Sequence, residues 1–162
     1  MKRIFLAGNP NVGKSAIFNR LTGARAEISN YPGSTVEYTK GRSRLLGEQV
    51  EIIDVPGTYS LKPSCRAEEV AVEMLDRESI VINVVDATNL ERNLYLTLEL
   101  IERGFAVLVA LNIWDETEHR GINIDVKKLE SLLGVPVVPT CGLSGEGIRE
   151  LVLHLKTVKK RE

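Results

Sequence analysis

The chain has 162 residues, 43% of them hydrophobic and 27% charged, the balance of one soluble globular domain rather than of a disordered or fibrous protein. Its 21 basic and 22 acidic side chains leave a net charge of -1, which gives no long-range attraction to nucleic acid or anionic lipid, so no nucleic-acid partner is expected. The two cysteines, Cys65 and Cys141, form no disulfide framework and read as reduced thiols, and the longest apolar stretch, FAVLVALNIW, is about half of what a membrane crossing needs.

KRIFLAG reads as a short strand ended by Gly8, and KSAIFNRLTG as a helix with Ile17, Phe18 and Leu21 on one side and Gly23 as its stop. Residues 24–40 show no sustained period and contain Pro32 and Gly33, the pattern of a long loop. RSRLLGEQVEIIDV divides into two strands about a Gly-Glu turn, an antiparallel hairpin. After DVPG and a polar stretch, VAVEMLDRE is a short helix and IVINVVD a strand covered on both faces. Asn89 is placed to cap NLYLTLELIERG, a helix stopped by Gly104, and FAVLVALN is a second buried strand. A helix capped by Asp125 (DVKKLESLL), a short strand (PVVPT) and a closing helix (GIRELVLHLKTV) complete the chain. Strands alternating with helices imply an α/β fold, a mostly parallel sheet with helices on both faces. The basic end KTVKKRE reads as a solvated helix end or linker.

GNPNVGKS, Gly8 to Ser15, fits the phosphate-loop pattern and sits between a strand and a helix, the context that pattern requires. The glycines let the backbone wrap around phosphate while its amides and the helix N-terminus point inward. The expected nucleotide contacts there are Gly8, Asn9, Pro10, Asn11, Val12, Gly13, Lys14, Ser15 and Ala16, with Lys14 reaching the β- and γ-phosphates and the Ser15 hydroxyl on Mg²⁺. Asp54 ends its strand and would hold Mg²⁺ through water, while the Gly57 amide would sense a γ-phosphate. The Thr35 hydroxyl completes the Mg²⁺ set when triphosphate is bound, which makes its loop an order-disorder switch.

The base is read elsewhere. In NIWD, Asn112 ties the loop to the phosphate loop and Asp115 can accept two hydrogen bonds from N1 and N2 of guanine, a pair of donors that adenine lacks. Ile113 stands where the usual guanine motif has Lys; it can cover a face of the base but adds no charge or donor, so looser affinity is expected. The backbone of Thr140, Cys141 and Gly142 would bond guanine O6. His119 and His154 are single histidines without a second ligand at metal spacing, and Glu37, Glu68 and Glu69 read as solvated surface rather than an iron site. Trp114 either covers the base or packs under the loop.

Together GNPNVGKS, NYPGSTVE, DVPGTYSL, VVDATNLERNLYLTLEL, NIWDE and PVVPT resemble the amino-terminal G domain of the ferrous iron transport protein B family, over residues 2–156. The resemblance implies a P-loop GTPase fold with a mostly parallel six-stranded sheet and one antiparallel hairpin strand. It divides the chain into a G domain, 1–156, and a basic linker, 157–162, toward helical and membrane domains of a longer protein on the cytoplasmic face of the membrane. It implies a slow Mg²⁺-dependent GTPase regulating Fe²⁺ transport, with self-association of the G domain open to it. The family lacks a catalytic Gln, and Thr58 matches that absence. Members with Asn at the position of Asn11 use K⁺, which would supply charge there while the backbone near Gly33, Ser34 and Thr35 holds water. Two rivals remain: a free-standing ribosome-assembly GTPase, against which the neutral charge speaks, and a non-hydrolysing guanine-nucleotide switch.

Overall fold

The computed structural model describes residues 1–23 and 25–158. One sheet holds seven strands, β1 (Lys2–Ala7), β2 (Ala26–Asn30), β3 (Glu37–Leu45), β4 (Glu48–Asp54), β5 (Ile80–Asp86), β6 (Ala106–Asn112) and β7 (Val137–Pro139), in the order β2-β3-β4-β1-β5-β6-β7. β4, β1, β5, β6 and β7 run parallel, while β2–β3 and β3–β4 are antiparallel. The helices are α1 (Lys14–Thr22), α2 (Arg66–Met74), α3 (Leu90–Glu102), α4 (Trp114–His119), α5 (Val126–Leu133) and α6 (Ile148–His154).

The parallel strands are covered on both faces, and alternation along β1 divides the core. Phe5 and Ala7 face a cluster with Leu96 and Leu100 of α3, whereas Ile4 and Leu6 face Ile17, Phe18 and Leu21 of α1 and Leu151 of α6. β5 and β6 are buried and almost wholly apolar because neither face meets water, with Asn83 of β5 the interior polar exception, bonded to Ala7 and Thr97. The strand order reverses at β1, with β4 on one side and β5 on the other, so the loops leaving the carboxyl ends of β1, β4 and β6 converge on one rim.

The sheet has seven strands rather than the six expected, and the 24–40 stretch is not one loop. Its described part contains β2, the six-residue tip 31–36 and the start of β3. β2 is an edge strand whose side chains are almost all exposed, Ile28 at 71%, so it carries no alternating pattern to read. The β3–β4 turn lies one residue earlier than expected, at Leu46 and Gly47, both with positive φ, as a two-residue hairpin requires. α2 begins at Arg66 and stops at Met74, upstream of VAVEMLDRE at both ends, because Glu68 reaches back to the backbone N–H of Ser64 at 3.1 Å and stabilises its first turn. Asn89 makes no capping hydrogen bond; Asp86 accepts from the N–H of Thr88 instead and starts a 3₁₀ turn that runs into α3. Asp125 caps α5 through the N–H of Lys128. α4 is too short for a helical period to announce it, and α6 ends at His154 rather than Val158. Residues 159–162 of the expected basic linker lie outside the described residues.

Candidate nucleotide-binding site

The loop from Gly8 to Gly13 leaves β1 and enters α1 through two left-handed residues, Asn11 (φ 65°) and Gly13 (φ 87°). Asn is one of the few side chains that tolerate this conformation. At Gly13 a Cβ would lie 2.4 Å from Nδ2 of Asn112, so the loop depends on glycine for space as well as for dihedral angle. Lys14 and Ser15 open α1 at its N-terminus. Two cavities share this loop. One, of about 410 Å³, is lined by Asn9 to Ser15 and Gly57; the other, of about 300 Å³, is lined by Asn11, Gly13, Ala16, Asn112, Ile113, Asp115, Glu116 and Cys141 to Leu143. Asn11 and Gly13 belong to both.

The first cavity has polar walls. Lys14 Nζ lies 2.5 Å from Asp54 Oδ1 and donates to the carbonyl of Val55 at 2.8 Å, so the cation of the phosphate loop is seated on the end of β4. The Asn9 side chain is buried and its Oδ1 has no hydrogen-bond partner among the described residues. Gly57 passes so near the loop that a Cβ there would stand 3.1 Å from Pro10, and the Thr58 N–H donates to the Gly8 carbonyl at 3.0 Å.

Thr58 itself faces the other way. It is 1% exposed, and its hydroxyl lies 2.7 Å from the Ser60 carbonyl and 2.9 Å from Glu68 Oε2. Glu68, also buried, gathers the whole segment: Oε2 accepts the Tyr59 N–H, and Oε1 accepts the N–H and the hydroxyl of Ser64. The Ser64 hydroxyl, with smaller contributions from the Tyr59 and Ser64 amides and Thr58, outweighs burial and holds the Glu68 carboxyl down at about 2. Glu99 of α3 accepts the Leu61 N–H at 3.1 Å, and Arg92 stacks 4.6 Å from the Tyr59 ring centroid. Glu68 is therefore not the solvated surface expected of it: α2 starts at Arg66, four residues before the expected helix, and takes this acid into its first turn.

In the second cavity Asn112 is the keystone. It is 2% exposed; its Nδ2 donates to the Val12 carbonyl at 2.9 Å, and its Oδ1 accepts the Thr140 hydroxyl and the Gly142 N–H, both at 3.1 Å. One side chain thus joins the phosphate loop, the end of β6 and the loop after β7. Ile113 adopts φ 60°, a left-handed conformation that costs a β-branched residue roughly 1–3 kcal/mol. That reversal starts α4, whose first turn carries Asp115 into the cavity wall. Trp114 packs against the core cluster beneath and does not line the cavity. Cys141 is buried, and Gly142 lies against α1, where a Cβ would come 2.8 Å from that of Ala16.

Gly33, Ser34 and Thr35 are not brought to these walls. They form the tip of the β2–β3 hairpin, closed by the Tyr31 N–H to the Val36 carbonyl at 2.8 Å, with Ser34 Oγ donating to the Tyr31 carbonyl and Thr35 exposed. Among the described residues no cluster of three His, Cys, Asp or Glu could hold a metal. The oxygen donors at hand, the Ser15 hydroxyl and the Asp54 carboxylate, fit a hard cation such as Mg²⁺ rather than a soft one. Asn11 offers one amide oxygen between the two cavities, a donor type that suits a monovalent cation; the carbonyls of the hairpin tip do not line them.

The family profile described as Ferrous iron transport protein B matches residues 2–155. This chain belongs to that family. The Fe(2+) transport protein A/Fe(2+) transporter FeoB fusion protein of Porphyromonas gingivalis is 49% identical over 152 residues, covering 92% of this chain and 18% of that protein. The Fe(2+) transporter FeoB of Escherichia coli K12 is 43% identical over 165 residues, covering 98% and 21%. The chain therefore spans about a fifth of the length of these relatives. The cytosolic domain of L. pneumophila FeoB superposes with a TM-score of 0.93 at 44% identity, over 99% of this chain and 64% of that one. The FeoB G-domain from Methanococcus jannaschii gives 0.83 at 44%, over 97% of each. A mutant S. thermophilus NFeoB, bound to GDP, gives 0.88 at 44%, over 99% of this chain and 65% of that one. The fold is that of a P-loop GTPase, with an antiparallel hairpin on a mostly parallel sheet. No helix among the described residues is long and apolar enough to cross a membrane.

Proposed function

We propose that this chain is the guanine-nucleotide-binding and slowly hydrolysing G domain through which a longer ferrous iron transporter is regulated at the cytoplasmic face of its membrane. The observation that carries the reading is the pair of cavities meeting at Asn11 and Gly13, one walled by the phosphate loop and the other by Asp115. In this reading residues Gly8 to Ala16 hold the phosphates through backbone amides, and Lys14 leaves Asp54 to neutralise the β- and γ-phosphates. Asp115 accepts the guanine N1 and N2 hydrogens, Thr140 to Gly142 present backbone to O6, and Ile113 covers the base. Ser15 and Asp54, joined by Thr35 once triphosphate is bound, would hold Mg²⁺, and Asn11 would hold K⁺; bound together these ions supply charge opposite the transferring phosphoryl group. The buried hydroxyl of Thr58 is turned into the Glu68 network, which supports orientation of the attacking water by backbone near Gly33 to Thr35 rather than by a side-chain base. The structure of a GDP-bound relative supports the choice of nucleotide. The remaining partners are the helical and membrane domains of the parent chain, with self-association of G domains as a further contact.

Titration calorimetry tests this reading: GDP should bind in the micromolar range, about -8 kcal/mol, with ADP far weaker. Asp115→Asn should relax that preference. Equal affinity for the two diphosphates would remove the assignment.

A further inference from the structure

The base-side loop is fastened by a residue outside every nucleotide-binding pattern in the sequence. Arg20, in the last turn of α1, donates through Nε to the Gly142 carbonyl at 3.0 Å and through Nη2 to the Leu143 carbonyl. Gly145 lies on the same guanidinium, where a Cβ would be 3.1 Å from Nη1. Within the loop, the Cys141 N–H donates to Glu146 and the Gly145 N–H to Cys141, at 2.9 and 2.8 Å, so residues 141–146 form one closed unit. Among the described residues, the hydrogen bonds tying the Gly142 and Leu143 backbone to the rest of the protein come from two side chains, Asn112 and Arg20. Asn112 fixes the inner edge from a buried position; Arg20 fixes the outer edge, where Leu143 is 84% exposed at the cavity rim.

We propose that Arg20 is a positioning residue that clamps the 141–146 loop over the base cavity and thereby sets how long a guanine nucleotide stays bound. The inference rests on the guanine-nucleotide reading above. Arg20 lines neither cavity itself and touches only Gly142 and Leu143 of the base-side wall, so it acts through the loop. A base leaving the cavity must pass the rim that Gly142 and Leu143 form, and opening that rim breaks two bonds from one cation. Entry must pass the same rim, and because both bonds are already made without nucleotide, their loss frees entry as well as release. The planar guanidinium is needed because two carbonyls on adjacent residues are held by separate nitrogens of one fork, which a lysine cannot reproduce.

The test is stopped-flow release of a fluorescent GDP from the unmodified chain, Arg20→Ala and Arg20→Lys, with hydrogen exchange of residues 141–146 in nucleotide-free protein. Hydrogen bonds from a charged donor are strong enough that Arg20→Ala is expected to release GDP about tenfold faster, with association also faster and Arg20→Lys in between. The amides of Cys141, Gly142 and Gly145 should lose protection in Arg20→Ala while those of β6 keep theirs. GDP that binds but leaves Arg20→Ala at the unmodified rate, or a variant whose whole change lies in association, overturns the clamp alone. Failure of the unmodified chain to bind GDP overturns the nucleotide reading and the clamp with it.

Discussion

The Thr58 hydroxyl lies 2.9 Å from Oε2 of Glu68, and both side chains are closed off from solvent. The segment after the DVPG turn is therefore organised from α2, by a carboxylate that also accepts from the Tyr59 and Ser64 amides. Because these donors favour the charged form, folding stabilises the anion relative to the unfolded chain.

The sign of the pH effect follows. A carboxyl held down at about 2 from an ordinary value of 4.5 contributes its full stability above the ordinary value, and loses it as pH falls through the folded one. Urea unfolding should show stability falling between pH 5 and pH 2 more steeply in the unmodified chain than in Glu68→Gln. At pH 7 that variant should cost about 2 kcal/mol, since a charged acceptor of several buried donors is replaced by an amide that brings donors of its own. Parallel pH curves for the two proteins would show that the carboxylate carries no such load.

Asn112→Ala would leave the Val12 carbonyl, the Thr140 hydroxyl and the Gly142 N–H without their partner in a buried setting. Stability should drop by roughly 3 kcal/mol, and GDP binding should weaken with it because the base-side cavity loses part of its wall and the phosphate loop loses its tie to β6. Gly13→Ala should resemble it through another route: the added Cβ would stand 2.4 Å from Asn112 Nδ2, so the bond to Val12 cannot form unchanged. Calorimetric unfolding with and without GDP separates the two effects. A variant that loses stability but keeps its GDP affinity would confine Asn112 to the fold.

What could be read from the sequence was what periodicity and short motifs carry. The both-faces-buried strands β5 and β6, the phosphate loop and the Asp125 cap are local patterns, and each is found where the pattern puts it. β2 escaped because an exposed edge strand has no buried face, and α4 because six residues do not complete two turns. The pairing of Arg20 with Gly142, 122 positions away, has no local signature at all. Glu68 falls in the polar stretch ahead of the expected helix, and its bonds to Thr58 and Tyr59, ten and nine residues back, have no local signature.

Thr35 stands exposed at the tip of the β2–β3 hairpin and does not line the phosphate-side cavity, where Ser15 lies and Asp54 holds Lys14. If it joins Mg²⁺ only when a triphosphate is present, the tip must move or tighten on exchange of nucleotide. Hydrogen exchange over residues 29–39 should then show added protection with a non-hydrolysable GTP analogue relative to GDP. Thr35→Ala should erase that difference and leave GDP affinity unchanged. The same protection in both complexes would make Thr35 an ordinary residue of the turn.

The last expectation concerns the charge that a site without a catalytic Gln must obtain elsewhere. Asn11 is held at φ 65° where the two cavities meet, and its amide oxygen is a suitable donor for a monovalent cation beside the phosphates. Thr58 is committed to Glu68 and Ser60, and it would have to break those bonds to reach water. Phosphate release measured at constant ionic strength should therefore be faster in KCl than in NaCl, and Asn11→Ala should remove most of the gain. Loss of one such electrostatic contact is expected to cost roughly 10²-fold in rate, about 3 kcal/mol. Thr58→Ala should slow turnover only several-fold, by loosening the loop that Glu68 holds. A rate indifferent to the cation but abolished in Thr58→Ala would reverse these roles, because the threonine would then have to leave its buried network in every catalytic cycle.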